Sequence, residues 1–489
     1  MSSYDRLCTH LQDMKYRLLI AALLVLTQTI GAQVTVADSS ALRPPMNPAL
    51  QAEDNIIIRE RIEEWRDLKL GALFQWGLYS QWAVPASWTL CSEPWVDRGG
   101  VDYMEYVQSY RKLNTTFKAK KFDPSRWAKN ARDGGVKYVI FTAKHHDGFC
   151  LFDSKETNYT CTDKSCPNSK HSDRDISRAV VEAFRSKAFW TGFYFSKADW
   201  HHPDYWAPEW ATPDRNVNYN PAEDPQRWQR YCTFVNNQVR ELTHNYGGID
   251  MLWLGAEWVR PEWSVDSSNV DMLGCRGYVQ DVDVPTLART AREKIPDLLI
   301  SDQDVGGRYE NYRVVYDLPN EAYPEEAWEY AMSVGADFAY SKEDRCHSPR
   351  ELVHTLALTV ARGGNLLLGL GPDESGRLPE CAVNCLKELG DWLKVNGDAI
   401  YATRPVRPYT QDHWCFTQSK DKRKTYAIYL VEEGESIPEV LSLPHLPISP
   451  SKAKILGGGK VDVRPDGSGY SLYIRPGKKK DYAVVVVME

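Results

Sequence analysis

The chain has no excess of basic charge: its 489 residues carry a formal net charge of −7, so it lacks the positive field that attracts nucleic acid, and no such partner is expected. No Gly-rich phosphate fingerprint follows the first apolar strand, near residues 70–77, which counts against a dinucleotide fold. No set of Cys and His has zinc spacing. His145 and His146 are adjacent at a strand end, where neighbours tend to point apart, and no ligand-spaced third group accompanies them. A metal-dependent hydrolase is therefore disfavoured, and no metal or other cofactor is expected. Beyond the N-terminal region no apolar run is long enough to span a bilayer, so the mature chain is expected to have no stable membrane span.

The N-terminal region itself reads as a targeting signal. Lys15 and Arg17 precede the apolar run at residues 18–26, and Gly31 and Ala32 offer a small-residue cleavage site. This is the pattern of a secretory signal peptide over residues 1–32, which implies a secreted or periplasmic location. A membrane anchor is the competing reading, although the run is shorter than the roughly 20 residues a span needs. Met14 directly precedes the pattern, so residues 1–13 also read as lying before the true translation start. Eleven Cys fit an exported protein with disulfides. Cys161 and Cys166 flank a polar loop and are placed to pair locally, whereas Cys381 and Cys385 sit four apart on an expected helix. Asn114 and Asn158 head N-glycosylation triplets.

A Pro-containing linker (33–54) leads to a charged helical stretch at 56–69. Strands are expected near 70–77, 138–143, 191–196, 250–254, 298–301 and 365–370. Helices are expected at 176–186, 225–244 and 284–294, and one more from a Ser348-Pro349 cap to Gly363-Gly364. Strand–helix alternation with polar residues just past the strands predicts an α/β chain. The architecture expected is a (β/α)8-type (TIM-like) barrel over residues 55–404 with its site on the C-terminal face. A doubly wound open sheet is the competitor. From about Arg404 short alternating runs, such as 425–430 and 482–487, are broken by Gly, Pro and Lys. They predict an antiparallel β-sandwich domain over 405–489.

The strand at 250–254 organises the rest, because it ends on Gly255 and Ala256 and then delivers Glu257 and Trp258. Two further polar clusters lie past strand ends: Gln75-Trp76 with Glu93, and His145-His146-Asp147. Seventeen Trp serve core packing or form platforms on which sugar rings stack. Paired His serve as hydrogen-bonded loop supports or as functional groups. Together, aromatics and carboxylates on one face of a barrel favour a carbohydrate pocket, where two carboxyl groups would suit glycoside hydrolysis.

The motif at residues 70–80, Leu-Gly-Ala-Leu-Phe-Gln-Trp-Gly-Leu-Tyr-Ser, resembles the retaining α-L-fucosidases of glycoside hydrolase family 29. So do Ala143-Lys144-His145-His146-Asp147-Gly148-Phe149, Asp199-Trp200-His201-His202-Pro203-Asp204-Tyr205, Gly363-Gly364-Asn365-Leu366-Leu367-Leu368 and Lys394-Val395-Asn396-Gly397. The resemblance spans residues 56–405. It implies a barrel with a C-terminal β-sandwich, an exported protein, and a pocket for L-fucose or a related sugar of glycans. His145, His146, Trp76, Trp253, Glu93 and Tyr194 match sugar-contact positions of that family, and Gln75 and Trp258 join them as substrate-binding candidates.

The catalytic positions depart from the pattern. The family nucleophile is an Asp two residues after the Trp of the central strand, and that position is Gly255, which has no side chain to attack an anomeric carbon. Gln75 stands where the family usually has His, and Gln303 where an Arg commonly follows. The acid/base Glu falls near Tyr316, with Asp317 or Glu310 as substitutes. Three readings stay open. Glu257 replaces the missing carboxylate, unless it is an outward-facing loop residue. Alternatively, Gly255 leaves room for a water activated by Asp302, Asp304 or Glu257 in an inverting reaction. Or the chain is a catalytically inactive carbohydrate-binding member of the family.

Overall fold

A computed structural model describes residues 54–489 apart from 93–95, 213, 275, 304, 344, 445, 447–451, 468 and 477–481. The signal-peptide and translation-start readings, Glu93 and Asp304 therefore lie outside the described residues.

Eight parallel strands form one sheet: β1 (Leu70–Phe74), β2 (Tyr138–Lys144), β3 (Trp190–Ser196), β4 (Met251–Gly255), β5 (Leu299–Ser301), β6 (Arg313–Val315), β7 (Trp328–Ser333) and β8 (Asn365–Leu370). Their order, β5-β4-β3-β2-β1-β8-β7-β6, is that of a barrel opened between β5 and β6. Asn311 bridges the seam. Its backbone N–H donates to the Ile300 carbonyl at 2.7 Å, and its side-chain oxygen accepts from the Ile300 N–H at 2.8 Å.

Helix α1 (Ile56–Leu68) precedes β1, and its Trp65 stacks on Tyr312 at 4.5 Å inside the N-terminal end of the barrel. Helices α2 (Tyr103–Arg111) and α3 (Pro124–Asp133) follow β1. Then α4 (Ile176–Arg185), α5 (Pro225–His244), α6 (Val284–Arg292), α7 (Pro349–Ala361) and α8 (Glu380–Asn396) follow β2, β3, β4, β7 and β8. No helix follows β5 or β6 among the described residues, so the alternation is incomplete where the barrel is open. The helix starts follow local chemistry: Asp123, Asp175, Asp224 and Asp283 each accept a first-turn N–H. Ser348 and Glu351 form a capping box.

Strand parity decides which residues reach the barrel interior. Leu70, Ala72, Phe74 and Trp76 pack outward among the helices, as do Val139, Phe141, Phe193, Phe195, Leu252 and Leu254. Leu73, Tyr138, Ile140, Tyr194, Met251 and Trp253 pack inward.

The C-terminal part is antiparallel. Strands β9 (Thr403–Gln411), β10 (Trp414–Ser419), β11 (Thr425–Leu430), β13 (Ala453–Ile455) and β16 (Ala483–Met488) form a five-stranded sheet. It faces a three-stranded sheet of β12 (Val440–Leu443), β14 (Gly459–Asp466) and β15 (Gly469–Pro476). Phe416, Ala427, Val484 and Val486 fill the space between the two sheets. Cys415, Ile428, Val485 and Val487 point the other way and join the barrel core. The disulfide expectation is corrected here: Cys161 and Cys166 are separate buried thiols, and the bond joins Cys346 to Cys381. No helix among the described residues is long and apolar enough to cross a membrane.

Candidate active site at the C-terminal end of the barrel

The strand ends bring Gln75, His145, His146, Tyr194, Trp253, Gly255 and Glu257 to one mouth. Gln75 is inward and buried, and its side-chain oxygen accepts from the Thr142 hydroxyl at 3.2 Å. Trp76, one residue on, has the opposite parity. It packs against Phe117 and Phe122, with its Nε1–H donating to the Asp373 carbonyl at 2.9 Å. The structure therefore separates these two candidates: Gln75 is in the mouth and Trp76 is behind the sheet.

His145 and His146 do not point apart as alternation would have them. Their ring centroids are 4.0 Å from each other. The β2–β3 register shifts between Thr142 and Lys144, and both His lie past the strand, where alternation no longer applies. Burial holds the pKa of His145 down to about 3 and, with neighbouring His145, Arg215 and Lys144, holds His146 well below the ordinary value, so both are neutral. The His146 tautomer follows from its partner. Ser196 Oγ donates to the Ala198 carbonyl at 2.6 Å and so accepts from His146 Nδ1–H at 2.7 Å. His145 Nδ1 is held by Ser87 Oγ. Neither Nε2 has a protein partner among the described residues, which leaves both able to meet a sugar hydroxyl.

Asp147 is tied to the site's walls, accepting from the Tyr110 hydroxyl at 2.7 Å, and burial raises it to about 7. Lys144 and Asp199 form a buried ion pair at 3.3 Å. Asp199 also accepts the His201 and His202 N–H groups at 2.9 and 3.0 Å, so the Asp199 motif fixes a loop.

On β4, Trp253 is inward and buried, with Nε1 unpartnered among the described residues. Gly255 is filled from next door: a Cβ there would lie 2.0 Å from Tyr194 Oη and 2.2 Å from its Cζ. Ala256 follows with φ +72° and donates its N–H to the Gln303 side-chain oxygen at 3.1 Å; Gln303 has φ +54°. Two non-glycine residues in this disfavoured region at adjoining strand ends mark a constrained site. Gln303 Nε2 donates in turn to Tyr316 Oη at 3.0 Å.

Glu257 is partly buried, with Arg215 at 3.9 Å. Burial raises the Tyr194 phenol, and the charges of Tyr316 and Glu257 raise it further; Tyr316, whose ring is partly exposed beyond β6, is raised by the enclosure of its hydroxyl and by Glu257. Glu257 is thus paired with Arg215 and within electrostatic reach of both hydroxyls, without a hydrogen bond to either among the described residues. Trp258 is fully buried, its ring 4.9 Å from His146 and its Nε1–H donating to Tyr205 Oη at 3.0 Å. It braces the His pair from behind. Asp302 is buried against Lys197, an ion pair that occupies its carboxylate; burial raises its pKa while Lys197 opposes the shift. Asp317 is exposed beyond β6, and Glu310 accepts the Gly306 N–H at 2.5 Å.

Two groups escaped sequence reasoning. Tyr79, a buried phenol unpartnered among the described residues, sits edge-on to His145 at 5.8 Å. A cavity of about 340 Å³ lies at the same end, between the loops after β7 and β8. Asp337, Tyr340, Arg345, Asp373 and Arg377 are among its lining residues. The run Tyr79-Ser80 offered a signal for the first; nothing local signals the second.

The family model for α-L-fucosidase matches residues 44–398. A plasma α-L-fucosidase of Rattus norvegicus is 28% identical over 394 residues, 76% of this chain and 78% of that protein. An α-L-fucosidase of Branchiostoma floridae is 26% identical over 419 residues, covering 80% and 83%. Among solved structures, α-L-fucosidase isoenzyme 1 from Paenibacillus thiaminolyticus superposes with a TM-score of 0.71 at 28% identity, over 88% of this chain and 99% of that one. The Thermotoga maritima α-fucosidase gives 0.67 at 25% identity, over 88% and 98%. The chain belongs to the α-L-fucosidase family, glycoside hydrolases that cleave glycosidic bonds.

Proposed function

We propose that this protein is an exported glycosidase that releases L-fucose or a related sugar from glycans, with its catalytic groups redistributed around Gly255. The observation that carries the reading is the position of Glu257. It follows the nucleophile strand by two residues, is partly buried, and bears electrostatically on two phenols at the mouth. A carboxylate within electrostatic reach of these hydroxyls suits proton transfer at the mouth. The neutral Nε2 atoms of His145 and His146 and the inward Gln75 supply hydrogen bonds to the sugar, and the adjoining cavity suits the rest of the glycan. Asp302 is committed to Lys197, which makes it the weakest of the proposed bases. The Cys346–Cys381 disulfide and the leader-like residues 15–32 support passage through an oxidising compartment to a secreted or periplasmic location.

The test is hydrolysis of an aryl α-L-fucoside by the wild type beside Glu257→Ala. The expected result is measurable turnover that the variant lowers about 10²–10⁴-fold, the range for loss of a positioned acid or base. A silent wild type that still binds fucosylated glycans would instead make the protein a sugar-binding member of the family. Equal activity in both proteins would remove Glu257 from the mechanism.

A further inference from the structure

Tyr194 reaches the strand end from β3 with a geometry set by its neighbours. In the β3–β4 ladder it lies opposite Trp253, and Ser196 lies opposite Gly255. Its ring stacks on His145 at 5.6 Å and 20°, and meets the edge of Trp253 at 5.2 Å and 81°. A phenol has only two side-chain torsions, so this packing fixes the oxygen. That oxygen lies 2.0 Å from where a Cβ on residue 255 would start, so it occupies the volume in which a nucleophile side chain would begin. Tyr194 is only 5% exposed, yet its hydroxyl, which has no hydrogen-bond partner among the described residues, is not itself sealed off and keeps access to the mouth. Tyr79 lacks a partner too, but the atoms nearest to a Cβ on residue 255 are all of Tyr194.

We propose that Tyr194 Oη is the nucleophile of this protein, standing in the volume that Gly255 vacates, with Glu257 as the acceptor of its proton. The proposal rests on the hydrolase reading above. In the first step the Oη–C1 bond to the sugar forms as the C1–O bond to the aglycone breaks. The phenolic proton passes to the Glu257 carboxylate, and the departing oxygen leaves as the aryloxide or takes a proton from water at the mouth. In the second step water attacks C1, the Oη–C1 bond breaks, Glu257 returns its proton to Tyr194, and the attacking water's second proton passes to the solvent. Phenolic nucleophiles of this kind serve sialidases. Burial and the Glu257 charge keep the resting phenol protonated, so ionisation accompanies bond formation and does not precede it.

The experiment is trapping with 2-fluoro-fucosyl fluoride, whose fluoride leaves without a proton, followed by trypsin digestion and mass spectrometry. The tryptic peptide 188–197 contains Tyr194 as its only tyrosine and no carboxylate side chain, whereas Glu257 lies on the peptide 241–276, because trypsin does not cleave the Arg260–Pro261 bond. The expected result is a 2-fluoro-fucosyl label on 188–197 of the wild type. Tyr194→Phe is expected to take no label, to lose activity on an aryl fucoside by about a thousandfold or more, and to keep the wild-type thermal midpoint. A label on 241–276, or turnover with no label anywhere, would overturn the tyrosine assignment and leave the hydrolase reading standing. Absence of both turnover and label would overturn the two together.

Discussion

Gly255 is held in place by its neighbour, because any side chain there collides with the Tyr194 phenol. Restoring the family's carboxylate at this position is therefore not a simple repair. Gly255→Asp is expected to gain no fucosidase activity and to lose about 1–3 kcal/mol of stability from overpacking, read by urea unfolding. A variant that turned over faster than the wild type would show that Tyr194 yields freely. A second residue-scale prediction concerns Glu329, buried inside the barrel where it accepts from the Tyr138 hydroxyl at 2.7 Å. Burial raises it from 4.5 to about 8, with the Tyr138 bond opposing. The folded state then holds more protons than the unfolded one between those values, so this group's contribution to stability falls as pH rises through that window. Glu329→Gln is expected to remove a loss on the order of 3 kcal/mol between pH 5 and pH 8. Parallel pH profiles for variant and wild type would contradict this. The family resemblance named Tyr194, Trp253 and Gln75 among the substrate-binding candidates, and these are inward residues, but it named Trp76 equally, and strand parity turns that one away from the mouth. The Tyr194–Gly255 contact was not legible, since it joins two strands through space and leaves no local pattern.

At the scale of elements, the long buried strands and capped helices were readable because periodicity and cap chemistry are local. The stretch holding β6 and β7 was not, although β5 was expected near 298–301. Strands β5 and β6 have three residues each, no helix follows either, and Arg313 and Glu329 break the apolar runs. One residue links the two sides there: Asn311 serves both backbone groups of Ile300, the carbonyl with its own N–H and the N–H with its side-chain oxygen, which also accepts from Arg292 at 2.9 Å. Asn311→Ala leaves the buried Ile300 N–H without its acceptor. It is expected to cost about 1–3 kcal/mol and to speed hydrogen exchange at the Ile300 amide. Unchanged exchange there would mean that the seam is held by something else.

At the scale of the whole molecule, the barrel and the C-terminal sheets share one core. The outer face of the five-stranded sheet packs on α7 and α8, Trp392 Nε1–H donates to the Ala483 carbonyl at 3.4 Å, and Thr417 donates to the Ala399 carbonyl at 2.7 Å. This buttress lies behind β8, away from the mouth, so the C-terminal sheets brace the scaffold and leave the chemistry to the opposite strand ends. What the whole arrangement performs is decided by the fate of the sugar's anomeric carbon. Attack by Tyr194 followed by water inverts that carbon twice, so the first sugar released keeps its configuration. Time-resolved proton NMR of aryl α-L-fucoside hydrolysis reads this before mutarotation blurs it. The account predicts α-L-fucose as the first product. β-L-fucose appearing first, or no fucose at all, would contradict it.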